Sequence, residues 1–274
     1  MVLKDYKINP DKKVLIFGDS HAETCFYDKE NDIQNFGVRS EVPNLTYLKV
    51  SYLFQKASNK EILLTISPHN ISEWHEKRFF KKDSTGATLS KYWVVLNNLN
   101  LLKDYNNLPF NTQLVLHIKK LFGAPNIESN FKYKETFKGG FYKGRDTSII
   151  NLTEAKGVHL RHYGNELNMD IAQNKSDKLI NYYYDLIELF LSKKCSLTII
   201  GTPLHANYRH LMSSDQLKNY KDYLNQLKLK YPSIRIFDYS NLKLEDKYYL
   251  NSDHLNLKGA KLFTSIVLKD IKNE

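Results

Sequence analysis

Short unbroken apolar runs, each opened by a polar or charged residue, punctuate the chain at intervals. Residues 13–17 (KVLIF) run into Gly18, residues 61–66 (EILLTI) into Ser67-Pro68, and residues 196–201 (SLTIIG) into Thr202-Pro203. A fourth run covers residues 234–239 (IRIFDY), and residues 34–37 (QNFG) read as a weaker turn or short strand. Apolar runs without alternation are the pattern of strands buried on both faces, as in parallel sheets. Between the third and fourth runs, Leu217, Tyr220, Leu224 and Leu227 recur at helical spacing. Ser213 and Gln216 stand before them as a capping box. After the last run, Ala260, Phe263, Val267 and Ile271 mark one face of a C-terminal helix. Strands alternating with helices predict an α/β fold, a parallel sheet sandwiched by helices.

The middle of the chain departs from this pattern. Residues 79–175 contain no strong strand, only two candidate helices (92–103 and 112–122) among many Asn, Gly and Lys residues. They hold 14 basic and 8 acidic residues, so six of the ten net positive charges fall in about a third of the length. The expectation is a single domain over residues 1–274, with core segments 12–78 and 176–272. Residues 79–175 would be a large insertion capping the carboxyl edge of the sheet. A net charge of +10 favours acidic partners, although the abundance of Asn, Ile, Tyr and Lys also fits a lysine-rich composition without function. An aromatic content of 13% excludes a disordered chain, and no stretch reaches the ~20 apolar residues of a membrane span. The first residues, MVLKDYKINPDKK, contain no apolar signal region. The expected location is cytoplasmic for the chain as it stands, or extracytoplasmic if an export segment has been removed. Cys25 and Cys195 lie outside any CxxC or Cys/His spacing and read as core cysteines.

In open α/β sheets, ligands bind at the carboxyl ends of the strands, and three runs end in residues suited to chemistry. The first ends Gly18-Asp19-Ser20-His21 and the second Ser67-Pro68-His69-Asn70. After the last comes Asn251-Ser252-Asp253-His254-Leu255-Asn256, followed by Gly259 and a helix. A serine hydroxyl needs a neighbouring base to become a nucleophile, and histidine is the usual one. Asp-Ser after a strand is also a common helix N-cap, and Asp253 could equally cap a helix.

KVLIFGDSHAE resembles the first block of the SGNH (GDSL-type) hydrolases, and NSDHLNLKGAKLF resembles their last. Asn35-Phe36-Gly37 and Ser67–Asn70 stand where that family has its second and third blocks, so the resemblance covers about 12–78 and 185–272. It implies an SGNH-like, flavodoxin-like sheet with Ser20 as nucleophile and His254 as general base. The N–H groups of Ser20 and Gly37 and the Asn70 amide would hold the oxyanion, each such donor being worth roughly 3–4 kcal/mol. The family has glycine before its asparagine where this chain has Pro68-His69, which makes His69 a competitor for Asn70. Gly18-x-Ser20-x-Ala22 also comes close to the α/β-hydrolase elbow, but that motif follows several strands and precedes a separate acid.

The third member of the triad departs from the family. Its aspartate position, three residues before the histidine, is Asn251, and Asp253 adjoins His254, where neighbouring side chains rarely align. In one well-studied triad an Asp-to-Asn change lowers turnover by about 10⁴. The candidates are a Ser-His dyad oriented by Asn251, replacement by Asp253, or lost activity. His21 would line the pocket, stand behind it or face solvent.

The residues and the resemblance together predict a serine esterase, an SGNH-type ester hydrolase. It would remove an acyl group, acetyl preferred, from a carbohydrate or small-molecule ester through an acyl-enzyme. The alternatives are an O-acyltransferase acting on a glycan and a non-catalytic module binding a glycan or partner. Residues 131–145 (FKYKETFKGGFYKGR) interleave Lys132, Lys134, Lys138, Lys143 and Arg145 with five aromatics. That composition suits anionic glycan contact, and no specific nucleic-acid motif is present. His159 and His162 are three apart, as a metal site on a helix could use, but no carboxylate cluster accompanies them. No metal or other cofactor is expected.

Overall fold

Val14–Phe17 forms a strand (β1) with all four residues buried, and it lies between the strands Ile33–Asn35 and Glu61–Thr65 in a five-stranded sheet. The computed structural model describes residues 6–29, 32–55, 57–80, 92, 139–144, 150–164 and 174–274. The other strands are β2 (Ile33–Asn35), β3 (Glu61–Thr65), β4 (Ser196–Gly201) and β5 (Arg235–Asp238). All pairings are parallel, in the order β2-β1-β3-β4-β5. This is the flavodoxin-like order, whose direction of winding reverses between β1 and β3. The fold is therefore α/β, as the apolar runs predict.

Alternation along β1 divides the core in two. Leu15 and Phe17 face the helices α2 (Pro43–Leu53), α5 (Asp177–Ser192) and α7 (Ser214–Lys230) through residues such as Leu48, Phe190 and Leu227. Val14 and Ile16 face α1 (Ser20–Cys25) and α8 (Leu257–Asn273) through Ala22, Cys25, Phe263 and Val267. Helix α7 begins with the predicted capping box: Ser213 Oγ accepts from the Gln216 N–H at 3.1 Å, and Gln216 Oε1 accepts from the Ser213 N–H at 3.0 Å. Cys25 and Cys195 are buried and unbridged, and burial pushes the Cys25 thiol up to about 12. No helix among the described residues is long and apolar enough to cross a membrane.

Helix α3 (Glu73–Phe80) leads out of the sheet core after a short 3-10 turn, Pro68–Ile71. The chain returns beside its point of exit. Lys175 bridges to Ser72, and the Glu73 and Ser176 N–H groups donate to the Asn174 and Ile71 carbonyls. The two candidate helices at 92–103 and 112–122 lie outside the described residues, Tyr92 excepted. A helix that the apolar pattern did not single out, α4 (Leu152–Tyr163), packs Ala155, Val158 and Tyr163 against Tyr208 of α6 (Ala206–Leu211). After β5 come a two-stranded antiparallel ribbon, β6 (Tyr249–Asn251) and β7 (His254–Leu255), and then α8.

One ion pair is sealed in the core beside α2. Lys49 Nζ donates to Glu41 Oε2 at 2.7 Å and to the Phe36 carbonyl at 2.6 Å, with both side chains fully buried. Thr46 and Tyr92 also donate to Glu41, so this carboxylate ties α2 to the mid-chain segment. Burial pushes Glu41 up and Lys49 down, and each opposes the shift of the other. Removing one partner strands the other charge in the interior. Lys49→Met is expected to cost about 3–5 kcal/mol in urea unfolding, with much of the loss recovered in Lys49→Met/Glu41→Leu. A double variant no more stable than the single one would contradict this account.

Candidate active site

The site grows from the turn after β1. Gly18 has φ +138, and a Cβ there would lie 2.0 Å from Thr65 Oγ1, so only glycine fits. This turn starts α1 directly at Ser20, with Asp19 as N-cap accepting from the His21 N–H at 2.9 Å. The second Asp19 oxygen accepts from His69 Nε2 at 3.0 Å and Asn70 Nδ2 at 2.7 Å, which couples the turn after β1 to the 3-10 turn after β3. The site thus sits where the sheet reverses its winding.

From the far end of the chain, the β6–β7 ribbon brings in His254. Its Nε2 accepts from the Ser20 hydroxyl at 2.8 Å. Asn251 Oδ1 accepts three donors: the backbone N–H groups of Asp253 (3.2 Å) and His254 (2.8 Å), and His254 Nδ1 at 3.0 Å. The two backbone bonds fix which end of the amide is oxygen. Nδ1 must then carry the proton, leaving Nε2 free to accept from Ser20. The Asn251 side chain therefore both builds the turn and orients the imidazole.

Asp253 does not cap α8, whose N-cap is Asn256. Its carboxylate is fully buried, with Oδ1 3.1 Å from His254 Nδ1. The two adjacent side chains thus come close, as a local bend would allow, without the ring N–H being aligned on the carboxylate. The ring N–H is directed at Asn251, and Asp253 lies beside it as a charge. Arg161 Nη2 (3.4 Å), His162 Nε2 (3.5 Å) and His21 Nε2 (3.8 Å) surround the other carboxylate oxygen. Burial alone would raise the Asp253 carboxyl, but His254, His21 and Arg161 outweigh it and hold the group far below the usual range. The same balance holds for Asp19, where burial is outweighed by His21, His69 and Asn70.

His21 is neither exposed nor on the cavity surface. It is fully buried, with Nδ1 2.7 Å from Thr202 Oγ1, and burial lowers its pKa to about 3. His69 does line the cavity, stacked on His162 with ring centroids 4.0 Å apart. Asn70 is buried behind it with its amide committed to Asp19, and its Oδ1 accepts from the Ser67 N–H at 2.7 Å. Gly37 donates its N–H to Asn35 Oδ1 at 2.7 Å, and a Cβ there would strike the backbone of α1 at Glu23, 2.5 Å away. The structure thus brings Ser20, His254, Asn251 and Asp253 together. It turns the Gly37 and Asn70 donors toward internal partners.

A cavity of about 290 Å³ opens over Ser20 and His254. Its walls include Arg39, Arg78, Tyr142 and Arg161, none of which the strand-end motifs indicated. The His159/His162 spacing was the only sequence signal near Arg161, and the pair separates: His162 enters the site while His159 faces Gln216. Of the basic-aromatic stretch, Gly139–Gly144 is described, and there the Tyr142 N–H donates to the Glu23 carbonyl at 2.9 Å. Lys132, Lys134, Lys138 and Arg145 lie outside the described residues; Lys143 is within them.

Among the described residues, two groups of side chains could serve a cation, Asp19/His21/His69 and His21/Asp253/His254. Their atoms are already largely engaged with one another and with Ser20, Asn70 and Asn251. Compared with known proteins, the chain matches no family model and no curated relative.

His21, His75 and His162 are all held neutral chiefly by burial, with pKa values lowered from 6.5. Unfolding releases them to take up protons below that value, so the fold is at full strength above pH 6.5 and weakens as pH falls toward 3. The lowered carboxylates Asp19 and Asp253 act in the same direction below about pH 4. Unfolding free energy measured from pH 7 to pH 4 should fall as these three rings, together with His159, which burial lowers in the same way, take up protons on unfolding. A flat profile would contradict neutral burial of these rings.

Proposed function

We propose that the chain is a serine esterase of SGNH type. It removes an acyl group, acetyl preferred, from a carbohydrate or small-molecule ester. The observation that carries this reading is the 2.8 Å hydrogen bond from Ser20 to His254 Nε2, made across 234 positions of sequence at the floor of an open cavity. A serine that merely capped a helix would need no such partner, nor a histidine whose other nitrogen is itself fixed.

Ser20 Oγ attacks the ester carbonyl as its proton passes to His254 Nε2. The imidazolium that forms keeps its Nδ1 proton on Asn251 and faces the Asp253 carboxylate. Collapse of the tetrahedral intermediate expels the alcohol, which takes the proton from Nε2. Water then attacks the acyl-Ser20 with His254 as base, releasing the acid and restoring the hydroxyl. The oxyanion is served by the Ser20 N–H, which as the first of α1 has no intrahelical acceptor. Gly37 and Asn70 can contribute only by exchanging their present partners.

Orientation and charge, which one aspartate supplies in the usual triad, are here divided between Asn251 and Asp253. A fluorophosphonate serine probe should label the wild-type protein and fail on Ser20→Ala and His254→Ala. Absence of labelling in folded wild type would overturn the proposal. The division of roles is checked by ester turnover. Asp253→Asn is expected to lower kcat by about 10²–10⁴, while Asn251→Asp keeps an acceptor in the turn but sets a second carboxylate beside Asp253 and should not raise kcat. An Asp253→Asn variant with unchanged kcat would leave Asn251 as the sole orienting group.

A further inference from the structure

The Asp253 carboxylate is shared between two cationic or potentially cationic groups. His254 Nδ1 stands 3.1 Å from Oδ1. Arg161 Nη2 reaches both oxygens, Oδ1 at 3.5 Å and Oδ2 at 3.4 Å. Arg161 lies in the last turn of α4, which Ala155, Val158 and Tyr163 pack against Tyr208 of α6. The helix stops at Gly164, whose N–H donates to the Leu160 carbonyl at 2.9 Å, and Arg78 of α3 donates to the Arg161 carbonyl at 2.8 Å. The Arg161 side chain is 41% exposed, whereas the carboxylate it reaches is fully buried. A basic residue in a last helical turn commonly serves the helix dipole. That role needs no contact with a carboxylate carried on another element.

The other ionisable groups around Asp253 and His254 are engaged or neutral. From α1, burial keeps His21 and Cys25 uncharged, and Glu23 meets Arg39 at 3.0 Å. Asp19, which caps that helix, is held by His69 and Asn70. From α3 and α4, burial keeps His75 and His162 neutral, and Glu154 accepts from the Ser252 N–H at 3.2 Å. From α6, burial holds the Tyr208 hydroxyl well above its usual range, and the His205 cap faces Asp246 at 3.1 Å. The first turns of α8 carry Lys258 and Lys261, both exposed. Among the described residues, Arg161 is thus the permanent cation in contact with the Asp253 carboxylate.

An imidazole that already holds a second proton cannot take the one from Ser20. The buried Asp253 charge that favours the imidazolium during reaction also favours such a resting proton beforehand. A fixed cation against the carboxylate opposes that uptake, whichever member of the Asp253–His254 pair would carry the proton. We propose that Arg161 is a positioning residue of the hydrolytic site, which acts through Asp253 to keep His254 free as a base at more acidic pH. This deepens the esterase reading and rests on it for the reaction, while the coupling of Arg161 to the pair stands on the contacts alone.

The test is the pH dependence of fluorophosphonate labelling rate on the full chain, over the range in which each variant stays folded. In Arg161→Gln the acidic limb should move to higher pH by about one unit or more. Arg161→Lys, which keeps the charge but loses the reach of the guanidinium, should move it the same way by less. A rate lowered at every pH with the limb in place marks a merely structural role and overturns the proposal, as does a shift to lower pH. If Arg161→Gln does not fold, Arg161→Lys decides, and an unmoved limb overturns. The same coupling is read without catalysis from the His254 ring signal in NMR titration, identified by its loss in His254→Ala. Its proton uptake should shift in Arg161→Gln as the limb does. That shift without labelling of wild type removes the hydrolytic reading and keeps the coupling; labelling with an unmoved limb does the reverse.

Discussion

Two carboxylates sealed in the interior, Asp19 and Asp253, organise the functional end of the molecule. An isolated ion in such a place costs several kcal/mol after relaxation, and only close donors offset it. Asp19 therefore holds the turn after β1 to His69 and Asn70 after β3. Asp253 draws together the β6–β7 ribbon, His21 on α1, and Arg161 and His162 on α4. Elements that are far apart in sequence converge on these two charges, and the cavity forms in front of them.

The same arrangement accounts for the division of labour at His254. Oriented backbone bonds around Asn251 Oδ1 give the turn its shape, and the imidazole N–H is one more donor to that oxygen. An amide does this as well as a carboxylate, because geometry requires only an acceptor. Stabilising an imidazolium requires charge, and Asp253 carries it 3.1 Å from the ring nitrogen, in surroundings where solvent does not screen it. An aspartate at position 251 would place a second carboxylate beside the buried Asp253, and like charges so close would raise the pKa of one of them. In this chain the amide at 251 and the carboxylate at 253 are a consistent pair.

The sheet was legible in the chain because buried parallel strands carry their signal locally, in runs such as VLIF and ILL flanked by glycine, serine or proline. The helix behind Ser213 was legible for the same reason, since capping and apolar spacing are short-range. Ser20, His254, Asn251 and Asp253 could be chosen as candidates because they sit at strand ends and in the last block. Their distances could not be read, as they depend on a β6–β7 bend set by three bonds to one amide oxygen. Arg78, Arg161 and His162 left little trace, being ordinary charged or polar residues at helix ends until packing aims them at the cavity. The donor roles expected of Gly37 and Asn70 rested on block order. The Gly37 N–H, turned to Asn35, and the Asn70 amide, turned to Asp19, are matters of local bonding that block order does not encode.

Charge in this region is layered. Anions lie deepest, at Asp19 and Asp253, each wrapped by imidazole or amide donors. Three neutral histidines held by burial, His21, His75 and His162, fill the space around them. Arginines form the outer layer, where they remain partly hydrated and face the cavity. The electrostatic character of this end of the molecule is set by the order in which these charges are stacked, rather than by the net charge of +10.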